Sequence, residues 1–187
     1  HQFQIIIIND GSTDDTDKIL LENKNLYDEY LKLEKNSGKG YALGCGFQKC
    51  EGDIVIVQDA DLEYDPNDYK YLISPFVKLD ADVVYGSRFK SSSSNRVLFF
   101  WHSIANKLIT LFSNIFSNLN LTDVETGYKV FRTSLIKNLT IEEKSFGIEI
   151  ELTHKIANKK PQPKFYEVGI SYNGRTYAEG KKIGPKD

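Results

Sequence analysis

Asp53-Ile54-Val55-Ile56-Val57-Gln58-Asp59-Ala60-Asp61 is a β-branched run that ends in two carboxylates one residue apart. A continuous Ile/Val run reads as a strand covered on both faces, as in a parallel sheet with helices on each side. Asp65-Pro66 follows, an N-cap residue with proline at the first helical position, so a helix is expected there. The same order of strand, polar turn and helix occurs twice upstream. Phe3–Ile8 ends at Asn9-Asp10-Gly11-Ser12-Thr13, where Ser12 or Thr13 can cap a helix whose first turn carries Asp14, Asp15 and Asp17. Tyr30–Glu34 leads to Asn36-Ser37-Gly38-Lys39-Gly40 and a short helix over residues 40–50. With a fourth strand at Asp82–Gly86, the alternation predicts an α/β fold: a mainly parallel sheet flanked by helices.

Past residue 90 the rhythm changes. A polar loop, Ser91–Ser94 with Asn95, precedes a long helical pattern. Trp101, Ile104, Ala105, Leu108, Phe112, Ile115, Phe116 and Leu119 recur at spacings of three and four, a stripe expected to pack on the core. Leu98, Phe99, Phe100, Leu111 and Leu121 lie off that stripe and suggest contact with a bilayer. A strand over 127–132, a helix over 148–158 and an extended segment over 164–172 complete the pattern.

The chain has 187 residues, 40% hydrophobic and 27% charged, which fits one folded domain over 1–187 and argues against disorder. A formal charge of −2 gives no basic field to attract nucleic acid. The charge is uneven: residues 1–90 hold ten Lys/Arg against seventeen Asp/Glu, whereas 159–187 hold seven against three. An acidic front and a basic tail suit a shared metal and polyphosphate. Cys45 and Cys50, five apart, match neither a zinc nor a Cys-x-x-Cys pattern and read as ordinary thiols of a reduced compartment.

In an open parallel sheet, ligands sit beyond the carboxyl ends of the strands. Four strands here aim four polar clusters at one edge. Asp59 and Asp61 would repel each other without a cation between them, and hard oxygen ligands suit Mg²⁺ or Mn²⁺ on a substrate phosphate. Glu63 is a candidate third ligand. The Asn36–Gly40 turn offers backbone N–H groups and Lys39 to a diphosphate, although it lacks the spacing of a Walker loop. Asp10 can accept a hydrogen bond from a base ring N–H, or can close an Asx turn.

These segments resemble the family 2 glycosyltransferases of GT-A fold, in particular the polyprenyl-phosphate hexosyltransferases of the dolichyl-phosphate mannose or glucose synthase type. The resemblance is carried by Asn9–Asp14, Asn36–Ala42, Gln58–Pro66, Tyr85–Phe89, Thr122–Lys129, Phe146–Leu152 and Gly174–Ile183, in family order. The family's opening strand has no counterpart, which implies an N-terminally truncated domain, and Asn9 replaces the first Asp of the usual Asp-Asp-Gly-Ser.

The resemblance implies a UDP- or GDP-hexose donor and metal-dependent, inverting transfer to a polyprenyl phosphate. It also implies a place at the cytoplasmic face of a membrane and a role in cell-wall or glycan synthesis. Asp59, Asp61 and Glu63 are expected at the metal, and Asp10, Gly11, Ser12, Asn36, Lys39, Arg175 and Lys181 at the donor. Arg88 and Arg96 are the candidates for the acceptor phosphate, with Lys129 and Arg132 as weaker ones, because guanidinium forks match phosphate oxygens. A phosphate acceptor, with a second pKa of ~6, needs no general base. A saccharide hydroxyl would need one, and Asp123 or Glu149 are the choices. An inactive nucleotide-binding module is the remaining alternative.

Overall fold

The computed structural model describes residues 3–90, 96–97, 99–145 and 147–175. The serine loop 91–95, Leu98, Phe146 and the tail from residue 176, Lys181 included, lie outside the described residues. The expected alternation is present: β1 (Ile6–Asn9), α1 (Thr16–Glu22), β2 (Glu29–Lys32), α2 (Lys39–Lys49), β3 (Ile54–Ile56), α3 (Tyr69–Lys78) and β4 (Val83–Ser87). Then come α4 (Phe100–Ser117), β5 (Lys129–Arg132), a single turn α5 (Thr133–Ile136), α6 (Ile148–Ala157) and β6 (Phe165–Gly169).

The Asp65 side chain accepts from Asn67 N at 2.9 Å, capping a 3₁₀ turn over Pro66–Asp68 that feeds α3. Helix α1 starts later than its sequence suggests. Ser12 N is taken up by Asn9 Oδ1, which closes the 9–12 turn on itself, and Asp14 receives Thr16 N instead.

Strands β1 and β2 pair in parallel, from Ile6 opposite Glu29 to Asn9 opposite Lys32. The other four strands are ordered β3-β5-β4-β6. Here β4 and β6 are parallel, and β5 runs antiparallel between β3 and β4. The sheet is therefore mixed, and the direction of β5 decides which of its residues reach the site. Lys129, at its start, lies opposite Tyr85 near the carboxyl end of β4, whereas Arg132, at its end, pairs with Ile54 at the start of β3. Arg132 is thus at the wrong edge for the acceptor role, and it is tied there to Asp80 and Asp82.

The pleat splits the core between two faces of this sheet. Val83, Tyr85 and Phe131 face α2 and α6, while Val84 and Val130 face α3. Phe131 meets Tyr85 and Phe47 edge-on, with ring centroids 6.2 and 6.4 Å apart.

Helix α4 is turned the opposite way from its expected orientation. Its buried residues are Thr110, Ser113 and Ser117, while Trp101, Leu108, Phe112, Ile115 and Phe116 are exposed. Leu121, grouped with the outward residues in sequence, is buried. The reason is hydrogen bonding. Asn114 donates to Leu121 O and accepts from Leu121 N, and Thr110 Oγ1 accepts from Val124 N. Ser113 lies 3.2 Å from His154 Nε2 on α6. The polar face thus satisfies the buried backbone of the 121–124 turn, which would cost ~1–3 kcal/mol per group if left unpaired. No helix among the described residues is long and apolar enough to cross a membrane.

Phe131→Ala, which empties the space shared by β3, β4 and α2, is expected to lower unfolding free energy by ~3–5 kcal/mol. Urea denaturation followed by circular dichroism measures it; a loss below ~1 kcal/mol would show that Phe131 is not a core anchor.

Candidate active site

Strands β1, β3 and β4 deliver their carboxyl-end turns to one region, and the antiparallel β5 adds Gly127 and Tyr128. Asp10 joins the first two βα turns: its two oxygens accept from Ser37 N at 2.7 Å and Gly38 N at 2.9 Å. Gly11 has φ +67°, and a Cβ there would fall onto the backbone of Lys35 and Asn36. Asp10 thus organises the loop before α2 and, being only partly buried, keeps further lone pairs on its two oxygens. Ser12 and Asn36 are exposed beside it.

Lys39, the first residue of α2, bridges Asp59 Oδ2 at 3.0 Å and Glu149 Oε1 at 2.8 Å. Burial disfavours its charge, but the two carboxylates outweigh burial and raise its pKa. On the other side, Arg175 Nη2 lies 3.3 Å from Asp61 Oδ2, and its Nε lies 3.1 Å from Glu63 Oε1. Burial, together with the charges of Glu63 and Asp59, raises the pKa of Asp61. The chain turns between Asp61 and Glu63 through Leu62, whose φ of +61° is a left-handed conformation rare for a bulky residue. Glu63 consequently swings to Tyr172, whose hydroxyl donates to Oε2 at 2.8 Å, and to Arg175. These bonds outweigh burial and hold its pKa down.

The expected triad of metal ligands is therefore not assembled. Among the described residues no three Asp, Glu, His or Cys side chains converge on one point, and Glu63 is committed to its own partners. Asp59 and Asp61 still fit a divalent ion: both are half-buried, both are anionic oxygen donors, and each is neutralised only by a side-chain cation. Mg²⁺ is commonly bound by one or two carboxylates, with substrate phosphates and water completing the shell.

Arg88 and Asp123, assigned separately to phosphate binding and base catalysis, occupy each other. Arg88 Nε and Nη2 donate to the two oxygens of Asp123 at 2.7 Å each, and the guanidinium lies 5.3 Å from the Tyr172 ring centroid. Asp123 is fully buried, also receives Asn106 Nδ2 at 3.1 Å, and holds the Arg88 pKa above its usual value despite burial. Arg88 is thus fixed by a buried fork, and Asp123 has no exposed edge for a substrate proton.

Lys129 is likewise sealed, with its ammonium on Val124 O and Thr126 O. Glu149 is buried against Lys39, with its Oε2 unpartnered. Arg96 lies beside the acidic turn: its Nη1 donates to Gly174 O at 3.0 Å, next to Arg175.

Three residues of the site carry no role in the sequence reading. Tyr64 Oη accepts from Gly127 N at 2.8 Å, Tyr172 anchors Glu63, and Gly127 lets the backbone approach Asp59, since a Cβ there would lie 2.7 Å from Asp59 Oδ2. The signal for Gly127 was present in the Thr126-Gly127-Tyr128-Lys129 segment and that for Tyr64 in Gln58–Pro66; Tyr172 gave none.

A mixed α/β sheet with a carboxylate pair, a glycine–lysine turn and two arginines at one edge fits a domain of the GT-A glycosyltransferase class. The chain belongs to glycosyl transferase family 2, whose model matches residues 1–140. It is 30% identical over 154 residues to the undecaprenyl-phosphate 4-deoxy-4-formamido-L-arabinose transferase of Pseudomonas syringae pv. syringae, covering 80% of this chain and 44% of the relative. It is 31% identical over 127 residues to the low-salt glycan biosynthesis hexosyltransferase of Haloferax volcanii, covering 67% and 30%. The chain thus spans about half the length, or less, of these relatives. The fold matches glucosyl-3-phosphoglycerate synthase from Mycobacterium tuberculosis, crystallised with Mn²⁺, uridine diphosphate and phosphoglyceric acid. That match has a TM-score of 0.70 at 18% identity and covers 94% of this chain and 62% of that one.

Two outcomes follow from the geometry. Gly127→Ala is expected to displace Asp59 or Tyr64 and to lower the unfolding free energy by ~1–3 kcal/mol through overpacking, read from urea midpoints. Burial, with the charge of Lys39, pushes the Lys129 ammonium down to about 8. Its unfolded pKa is ~10.4. Between those values the unfolded chain binds the extra proton, so stability rises with pH. Urea midpoints taken from pH 7.5 to 9.5 are expected to climb in the wild type and to climb less in Lys129→Met.

Proposed function

We propose that this chain carries a catalytic domain that transfers a hexose from a UDP- or GDP-sugar to a polyprenyl phosphate. The transfer inverts the anomeric centre and depends on Mg²⁺ or Mn²⁺, at the cytoplasmic face of a membrane that the protein contacts peripherally. The observation that carries the reading is the Asp59/Asp61 pair at the end of β3, with Lys39 and Arg175 on its two sides.

When bound, the divalent ion supplies charge stabilisation to the departing nucleoside diphosphate. Lys39 and Arg175 already point at the oxygens where that charge is to be handled. Release of these cations from Asp59 and Asp61 frees them for the diphosphate, where fixed positive groups stabilise developing negative charge. Arg96 stands next to Arg175 and is assigned to phosphate oxygens; Lys181, outside the described residues, is assigned there from its sequence motif alone. Arg88 supports this face through Asp123, and Lys129 braces the 124–126 turn beneath it.

The phosphate acceptor is favoured over a saccharide hydroxyl by the state of the two candidate bases. Asp123 is fully buried and neutralised by Arg88, and Glu149 is buried and neutralised by Lys39. A phosphate monoester with a second pKa of ~6 attacks without either.

The test is transfer of radiolabelled sugar from UDP-glucose and GDP-mannose, with Mn²⁺, to a short-chain, water-soluble polyprenyl phosphate and to a free oligosaccharide. Label is expected on the phosphate alone, and Asp61→Asn is expected to lower turnover at least about 100-fold. Label on the oligosaccharide, or full activity in Asp61→Asn, overturns the proposal.

A further inference from the structure

Helix α4 presents its apolar side outward. Phe100, Trp101, Leu108, Leu111, Phe112 and Ile115 are exposed, with Trp101 at 77% and Phe112 at 60%. Its inward side carries the hydrogen bonds to the 121–124 turn and α6 that fix the helix in this orientation. Soluble domains rarely expose apolar surface on this scale without a partner. An 18-residue helix is ~27 Å long, and this one is not apolar enough to cross a membrane.

The charge pattern identifies the partner. No carboxylate lies in residues 83–122, and of the cations there Arg88 and Lys90 are paired with Asp123 and Glu167, while Lys107 lies on α4 itself. Among the exposed residues of α4, Lys107 alone is charged. A helix with one aromatic–aliphatic face, a cation whose stem can snorkel and no carboxylates matches an interfacial helix lying in the plane of an anionic bilayer.

We propose that the outward face of α4 inserts into the headgroup–acyl boundary of an anionic bilayer and orients the acidic site toward lipid. The orientation follows from a short chain of contacts: Asn106 on α4 holds Asp123, Asp123 holds Arg88, and Arg88 lies over Tyr172, the partner of Glu63. The inference rests on the lipid-phosphate reading of the same site for its purpose, and names the surface that reading lacks.

Trp101 is the sole tryptophan and sits on this face, so it reports insertion directly. The full chain is mixed with phosphatidylcholine vesicles, with or without phosphatidylglycerol, and with the same vesicles made from brominated lipid. A blue shift of Trp101 emission and quenching by bromine, stronger with phosphatidylglycerol, are expected. A triple variant, Leu108→Gln with Phe112→Gln and Ile115→Gln, is expected to bind vesicles at least about tenfold more weakly while still glycosylating the water-soluble acceptor. No shift with any vesicle overturns the inference, as does wild-type binding by the triple variant. A blue shift that depends on protein concentration instead of lipid also overturns it, and assigns the face to a second copy. Vesicle binding without any glycosyl transfer would leave the insertion surface standing and remove the proposed function; transfer without vesicle binding would do the reverse.

Discussion

Asp59 and Asp61 place two negative charges one residue apart at the end of a strand, and the surrounding structure is arranged to make that tolerable. Like charges at such a spacing raise each other's proton affinity unless opposite charge lies within a few ångström. Lys39 meets one and Arg175 the other. Each of these cations has a second carboxylate behind it, Glu149 for Lys39 and Glu63 for Arg175. The first βα turns, α6 and the segment after β6 are thereby drawn to the same edge. Gly127 must stay without a side chain to leave space for Asp59, and Leu62 takes a left-handed backbone to aim Glu63 away from the pair.

Much of this was legible in the residues. Apolar runs located the first four strands to within three residues at each end, and Asp65-Pro66 gave its cap. The carboxylate pair and the Lys39 turn were assigned to one edge, Arg175 to the donor by resemblance, and the three meet there. The direction of β5 was not legible, because a four-residue apolar strand reads alike in either sense; Arg132 was misplaced for that reason. Asp123 and Arg88 were found as residues but not as a pair, since 35 positions separate them. Glu63 was read from spacing alone, and spacing does not reveal that Tyr172, more than 100 positions on, competes for it.

Helix α4 shows the same limit in another form. Periodicity located the helix and its two faces correctly. Which face turns inward depends on what the rest of the chain offers. The 121–124 turn and His154 offer hydrogen-bonding groups, so the serines, threonine and asparagines go in. An apolar stripe usually marks the core because few interiors present that many polar partners; this one does.

The division into two sheets has its own consequence. Among the described residues, β3 ends the order of the larger sheet, and β1 is bonded on one side alone, to β2. Both are built of isoleucine and valine and are only partly covered. Such open ladders are templates: an extended segment of matching pattern can extend them through main-chain bonds, whatever its origin. In these residues taken alone, Ile6–Ile8 and Ile54–Ile56 are accordingly the segments to which an added strand would bond.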